Sequence, residues 1–331
     1  MTGTEDAGRF RASPRRLRAH VEALEGERHA DSSPGATRRA MNYVLSELAS
    51  LGLVPTLEPF SFQGETHHNV VARIPGSDPD APRVLVGAHI DTVRGSPGAD
   101  DNASGVAGVL ECARLLATTA TTATNATNAT DATGRAGPTG AAGTAAERGS
   151  ENRFRATVEL AFFDLEEQQL FTYRVGSRRY TERARKERVE YAGALIFEMI
   201  GYTSTEPDSQ RIPLLVRWKD IPRTGDFLAV VGDWKSGSLI EGFEEAAREA
   251  APELDVYTHR TPFRGWLVWQ TRLSDNASFW SDGYPALMIT DTAFLRNPNY
   301  HGPGDTAATL DYDFTAGVVD ATAELVKRLA G

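Results

Sequence analysis

Between residues 37 and 51 the apolar side chains Met41, Val44, Leu45, Leu48 and Leu51 recur every three or four positions, the spacing of one helix face, and Gly52 then breaks the pattern. The segments NVVARI (69–74) and RVLVGAH (83–89) are short and β-branched, and the turn-rich PGSDPDAP lies between them, so both are predicted strands. Asn102 and Ser104 can cap the stretch GVAGVLECARLLA, which predicts a helix continuing to about residue 117. TVELAFF (157–163), GALIFEM (193–199), FLAVVG (227–232) and PALMITD (285–291) read as further buried strands, with helices near 236–250 and 314–329. Apolar runs of this length alternating with helices predict an α/β sheet covered on both faces.

One segment interrupts the alternation. Residues 118–150 are almost wholly Ala, Thr, Asn and Gly, and lack the apolar content to form a core, so they are expected to be a disordered surface insertion. The remaining chain is predicted to form one catalytic domain spanning 1–331, because the candidate chemistry runs from residue 89 to residue 305. The balance of 35 Lys and Arg against 45 Asp and Glu gives a net charge of −10, the wrong sign for neutralising phosphates, so neither nucleic acid nor an anionic membrane is an expected partner. The basic runs Arg15-Arg16-Leu17-Arg18 and Ser177-Arg178-Arg179 are short enough to be solvated helix faces. No apolar stretch marks a secretory signal or a membrane span, and the expected location is cytoplasmic. Cys112, the single cysteine, sits in an apolar run and reads as a buried small residue rather than a nucleophile.

The chemistry gathers where predicted strands end. His89 and Asp91 close the strand at 83–89, and a metal-binding histidine commonly donates its second ring N–H to a carboxylate, a role open to Asp91. Alone, His-x-Asp better suits a histidine satisfied at a strand end. Twelve residues after His89, Asp101 stands in Gly98-Ala99-Asp100-Asp101-Asn102-Ala103-Ser104-Gly105, where α/β sheets collect ligands; Asn102 and Ser104 read as turn and cap. TVELAFF runs into Asp164-Leu165-Glu166-Glu167, a carboxylate pair that can divide metal binding from proton transfer. Glu198, between Phe197 and Met199, is a carboxylate costly to bury without a cation. The loop Asn297-Pro298-Asn299-Tyr300-His301 supplies a second histidine. Two histidines and three carboxylates suit a pair of zinc ions with one carboxylate bridging, and similar ligands accept cobalt or manganese. His67 and His68 lack partner ligands in sequence and read as ordinary solvent-exposed histidines.

Taken together, HIDTVRGSPGADDNASGVAG, the DLEE after a strand, FEMIGY, the SD-x-x-SFW segment at 274–280 and NPNYHGPGDT resemble the co-catalytic zinc aminopeptidases of metallopeptidase family 28. That family also contains glutamate carboxypeptidase-like enzymes and glutaminyl cyclases. The resemblance implies a mixed, mostly parallel central sheet in a three-layer α/β fold. It implies that His89 and Glu198 hold one zinc, that Glu167 and His301 hold the other, and that Asp101 bridges them. Glu166 would be the proton shuttle, Asp91 would orient His89, and Tyr300 would help stabilise the tetrahedral intermediate. The peptide bond after Asp101 would be cis. The implied reaction is hydrolysis of an amide in a peptide or peptide-like metabolite, with release of the N-terminal residue. The alternatives are a glutaminyl cyclase-type acyltransferase using one zinc, and a non-catalytic binding protein on the same fold.

Besides the Ala/Thr insertion, which is expected to be neutral for catalysis, two departures from the family pattern stand out. Where the family commonly reads Glu-Glu-x-Gly-Leu-x-Gly-Ser, this chain has a longer stretch from Glu166 to Ser177, which predicts a remodelled pocket wall. A common Ser-Asp-His triplet appears as Ser274-Asp275-Asn276, away from the implied metal ligands but at a place of usual substrate contacts.

Overall fold

The computed structural model describes residues 11–127, 154–167, 175–213 and 220–331. In chain order the main elements are α1 (Pro14–Leu24), α2 (Pro34–Ser50), β1 (Thr56–Phe62), β2 (Glu65–Ile74), β3 (Arg83–His89), an irregular turn (Ala99–Ser104) and α3 (Gly105–Thr127). There follow β4 (Val158–Phe163), α4 (Val175–Lys186), β5 (Tyr191–Glu198), β6 (Leu228–Gly232), α5 (Gly237–Ala250), β7 (Val256–Arg260), α6 (Asn276–Asp282), β8 (Ala286–Thr290) and α7 (Tyr312–Ala330).

The strands form one eight-stranded sheet in the order β1-β2-β4-β3-β5-β8-β6-β7. The central four, β4-β3-β5-β8, are mutually parallel, while β2 joins β4 and β6 joins β8 antiparallel. The sheet is therefore mixed with a parallel centre. Along β5, Leu195 and Phe197 enter the core under α1, α3, α5 and α7, whereas Ala194 and Ile196 pack with Tyr180 of α4 and with Phe279 and Trp280 of α6. This two-residue alternation puts apolar side chains on both faces, which is why the central strands read as unbroken apolar runs.

Each strand and helix expected from the apolar pattern is present, with ends displaced by a few residues. The larger difference is α3, which runs to Thr127 and so enters the segment assigned to the insertion; the expected insertion beyond it, through residue 150, lies outside the described residues. The pattern missed α1, β1, β7, α4 and α6. In α1 and α4 charged side chains dilute the apolar stripe, and Arg15, Arg16 and Arg18 do lie on the exposed face of α1. The edge strands β1 and β7 are largely exposed or half-buried, so no buried run marks them. The buried strand β4 also carries a charge: Glu159 is fully buried and accepts hydrogen bonds from Arg73 and Arg83, each at 2.7 Å, and from Tyr180 and Tyr191. Among the described residues no helix is long and apolar enough to cross a membrane.

Candidate metal centre

The parallel centre of the sheet delivers the chemistry to one edge. His89 is the last residue of β3 and stands in register with Phe163, the last of β4; Glu198, the last of β5, stands in register with Thr290, the last of β8. Neighbouring strands therefore release His89, Glu198 and the Asp164–Glu167 turn side by side, and the loops after β3 and β8 add Asp101 and His301. Carboxyl ends of parallel strands are the usual place for such a site in open α/β sheets.

The six candidate side chains converge. His89 Nε2 lies 3.3 Å from Asp101 Oδ1 and 3.4 Å from Glu198 Oε2. His301 Nε2 lies 3.1 Å from Asp101 Oδ2 and 3.2 Å from Glu167 Oε1. Two groups thus share Asp101, one oxygen each, and each can hold a metal ion; Glu166 and Glu167 form a further such group with His89. Ligand atoms on a tetrahedron with bonds of about 2.0 Å stand roughly 3.3 Å apart, which the four distances match. His89 Nε2, Asp101 Oδ1 and Glu198 Oε2 are also buried without a hydrogen-bond partner, because their mutual approach is misaligned for hydrogen bonds. Three converging buried polar atoms without hydrogen-bond partners are what a cation site needs and an apolar core avoids. The donor set, two imidazoles and three carboxylates, suits zinc.

Charge at the cluster is strongly perturbed. Burial, reinforced by Asp101, pushes the Glu167 carboxyl up to about 8. Burial also opposes ionisation of Asp101, but the adjacent His301 and His89 overcome it and hold that carboxyl below its ordinary range. Burial works against a charged His301, yet Asp101 and Glu167 raise it to about 10. Protons on the histidines thus balance the carboxylates, and a divalent cation can take their place.

A polar scaffold holds the ligands. The Asp91 carboxylate is 3.6 Å from His89 Nδ1, and it accepts the backbone N–H groups of Glu166 and Glu167, both at 3.0 Å. One side chain therefore ties the His89 strand to the carboxylate pair. Asp305 accepts the N–H groups of Asp100 and Asp101, at 2.8 and 3.1 Å, and burial next to Asp100 pushes it up to about 7. The Asp101–Asn102 peptide bond is cis. Asn102 and Ser104 do more than cap α3. Asn102 accepts the N–H groups of Gly105 and Met199 and donates to the Phe197 carbonyl, and Ser104 accepts the N–H of Ile200, which fastens the Asp101 turn to the end of β5.

Four features of the surroundings escaped the sequence. Arg28 is buried, burial lowers it to about 10, and its guanidinium donates to five backbone carbonyls, among them Ile90, Pro97 and Gly98 of the loop joining His89 to Asp101. His67, expected in solvent, is only 16% exposed and pairs with the buried Asp164, which in turn stands directly after β4. Asn69 bridges the same turn to α4, accepting the Asp164 N–H and donating to the Gly176 carbonyl. A cavity of about 110 Å³ shares Glu198 and Tyr300 with the cluster, and its walls include Phe227, Val231, Val268, Leu273, Met288 and Phe294. Its residues come from distant strands and loops, which no local pattern reveals; only the Asp of DLEE and the histidine pair before NVVARI gave a signal for His67 and Asp164.

Tyr300 stacks on His301, with ring centroids 3.7 Å apart, and burial pushes its hydroxyl upward, so the group beside the cluster is a neutral phenol. Ser274, Asp275 and Asn276 are buried at the start of α6, where Asn276 donates to the Thr271 carbonyl at 3.0 Å, a structural tie in place of a ring. Of the longer stretch after Glu167, residues 168–174 lie outside the described residues. Cys112 is fully buried, and burial raises its thiol, which makes it a poor nucleophile.

Comparison with known proteins bears on the family and the fold. The family described as Peptidase family M28 matches residues 69–326. Uncharacterized protein YfbL of Escherichia coli (strain K12) is 31% identical over 325 residues, covering 95% of this chain and 88% of that protein. Among solved structures, the aminopeptidase from Aneurinibacillus sp. strain AM-1 superposes with a TM-score of 0.63 at 15% identity, covering 97% of this chain and 94% of that one. The glutaminyl cyclase of Tannerella forsythia superposes with a TM-score of 0.64 at 17% identity, covering 96% and 99%. At these identities the two structures are alike in fold.

Proposed function

The chain belongs to peptidase family M28, and from that premise we propose that it is a zinc-dependent amide hydrolase that releases an apolar N-terminal residue from a peptide or peptide-like molecule. His89, Asp101 and Glu198 would hold one ion, and Asp101, Glu167 and His301 the other. The observation that carries the reading is Asp101, whose two oxygens face the two histidines at 3.3 and 3.1 Å, as a bridging carboxylate must. When bound, two such ions lower the pKa of a shared water and polarise the scissile carbonyl.

The chain's own groups supply the rest. Glu166 follows a turn braced by Asp91 and has a carboxylate oxygen within 4.8 Å of a His89 nitrogen, close enough to take the water proton and return it to the departing amine. Tyr300 presents a neutral hydroxyl able to donate to the developing oxyanion. The apolar cavity beside Glu198 and Tyr300 has room for a branched aliphatic side chain, which favours an apolar residue next to the scissile bond. A glutaminyl cyclase needs one metal and no water nucleophile, whereas here both candidate groups are complete.

The test separates the two glutamates. Glu166→Gln should keep both ions and lower kcat by about 10²–10⁴-fold, the usual share of general acid–base catalysis. Glu167→Gln should lose metal. Full activity in Glu166→Gln, or one tightly bound zinc per wild-type chain, would overturn the assignment.

A further inference from the structure

His67 lies on β2, outside both ligand groups, yet its contacts lead to the general base. Its Nδ1 is 3.4 Å from Asp164 Oδ2, and its ring stacks on Phe60 with centroids 5.8 Å apart and meets Phe62 edge-on. Asp164 is buried. Its other oxygen, Oδ1, accepts the N–H of Leu165 at 3.0 Å, its own N–H is taken by Asn69, and its carbonyl accepts the Gly176 N–H. Leu165 adopts φ +59°, the left-handed region that a leucine does not favour, and Glu166 follows at once. A left-handed leucine persists only where its neighbours over-determine it.

Leu165 is itself buried, but packing is looser on the His67 side. A polar cavity of about 240 Å³ is lined by Leu165 and His67 together with Asp31, Phe62, Gln63 and Glu65, so the turn is not close-packed there. The hydrogen bonds through Asp164 hold it together with those from Glu166 and Glu167 to Asp91 and from Val175 to the Leu165 carbonyl. Of the charged groups around the pair, Asp91 adds negative charge to Asp164, while Glu65, 4.0 Å from His67 Nε2, and Asp31 lie toward the imidazole. His67 is thus an ion-pair partner of Asp164 when protonated, and Asp164 in turn raises the imidazole above its ordinary range.

We propose that His67 is a positioning residue for Glu166. By donating from Nδ1 to Asp164 it fixes the carboxylate that closes onto the Leu165 N–H, and so keeps the left-handed turn from which Glu166 reaches the cluster. The inference rests on the reading of Glu166 as the proton shuttle. Partners of this kind, one shell removed from the reacting groups, typically contribute about 10–100-fold to activity, and a displaced catalytic group loses rate before it loses substrate binding.

The test is steady-state kinetics of the zinc-loaded enzyme on leucine p-nitroanilide. His67→Phe keeps the aromatic stacking but cannot donate; it should lower kcat roughly 10–100-fold with KM and bound zinc unchanged. His67→Asn, whose amide nitrogen stands where Nδ1 stood, should restore most of the rate. In a Glu166→Gln background, His67→Phe should cause no further loss, because the group it positions no longer acts. Wild-type kcat in His67→Phe, loss of zinc in step with kcat, or an undiminished loss in the Glu166→Gln background would overturn the inference. Should His67→Phe unfold, His67→Asn against the isosteric His67→Asp decides: Asp cannot donate and repels Asp164, so equal rates in the two would refute the role. Full activity of Glu166→Gln alone would fail the shuttle reading, whereas a slow Glu166→Gln beside a fully active His67→Phe fails this inference alone.

Discussion

Replacing Arg28 with methionine tests whether the metal loop is held by a cation that touches no metal. The guanidinium donates to the carbonyls of Leu24, Gly26, Ile90, Pro97 and Gly98 at 2.6 to 3.0 Å. Pro97 and Gly98 each accept a second bond, from the N–H groups of Gly26 and Ala103, so they stay paired in the mutant. Leu24, Gly26 and Ile90 would lose their arginine donor. A buried carbonyl left unpaired costs about 1–3 kcal/mol, which sums to roughly 2–6 kcal/mol for Leu24 and Ile90, while the half-buried Gly26 adds less. Part is returned, because burial disfavours the charged guanidinium, as its lowering to about 10 shows, and methionine fills similar volume without a charge. A net loss of about 2–4 kcal/mol remains, or roughly 3–6 °C in the melting temperature of a chain of this size. Because Ile90, Pro97 and Gly98 belong to the loop between His89 and Asp101, zinc affinity should also fall about 10–100-fold. Differential scanning calorimetry and competition titration with a chromogenic chelator measure the two effects. If Arg28→Met melts within about 1 °C of wild type, less than 1 kcal/mol is worth, and binds zinc equally, the carbonyl clamp does not hold the loop.

Further perturbations probe the other layers of the site. Asp101→Ala should lower metal occupancy at both positions, since one carboxylate serves both groups, and elemental analysis showing two tightly bound ions would exclude bridging. Val231→Phe narrows the apolar cavity and should cut kcat/KM for a leucine amide by about 10-fold or more relative to an alanine amide; an unchanged ratio would place the substrate side chain elsewhere. Glu159→Gln should destabilise the fold by about 2 kcal/mol at neutral pH, since it removes the buried charge that accepts from the partly exposed Arg73 and Arg83. Burial alone would raise Glu159, but Tyr180 and Arg73 hold it below 4.5. Its stabilisation is therefore full above that value and is lost as pH falls through the lower folded value, so the gap between wild type and mutant should close in acid. A gap constant from pH 7 to pH 3 would contradict this.

Much of the molecule was legible before any coordinates. Local periodicity marks the central strands because they are buried on both faces, and the same burial makes Glu198, set between Phe197 and Met199, conspicuous. The candidate ligands were recognisable because strand ends in an α/β sheet share an edge, so His89, Glu167 and Glu198, each at or just past a strand end, had to become neighbours once the strands paired. Edge strand β7 and helix α4 were not legible, since their half-exposed residues carry no periodic apolar signal.

What the sequence determined by itself was the chemical inventory and its order: two histidines, four carboxylates, and the strands that carry most of them. What only tertiary structure decided was which atoms meet. Glu167 and His301 lie 134 residues apart, yet stand 3.2 Å from each other, and Asp305 grips the backbone of Asp101 from 204 residues away. Arg28 and His67 act through partners that sequence patterns do not single out. Every residue owns a backbone carbonyl, so five of them converging on one guanidinium leave no trace in composition, and a histidine on an edge hairpin looks solvated until β2 pairs with β4 and brings Asp164 against it. Periodicity and residue type are local properties, whereas hydrogen-bond satisfaction in the interior depends on how distant segments pack.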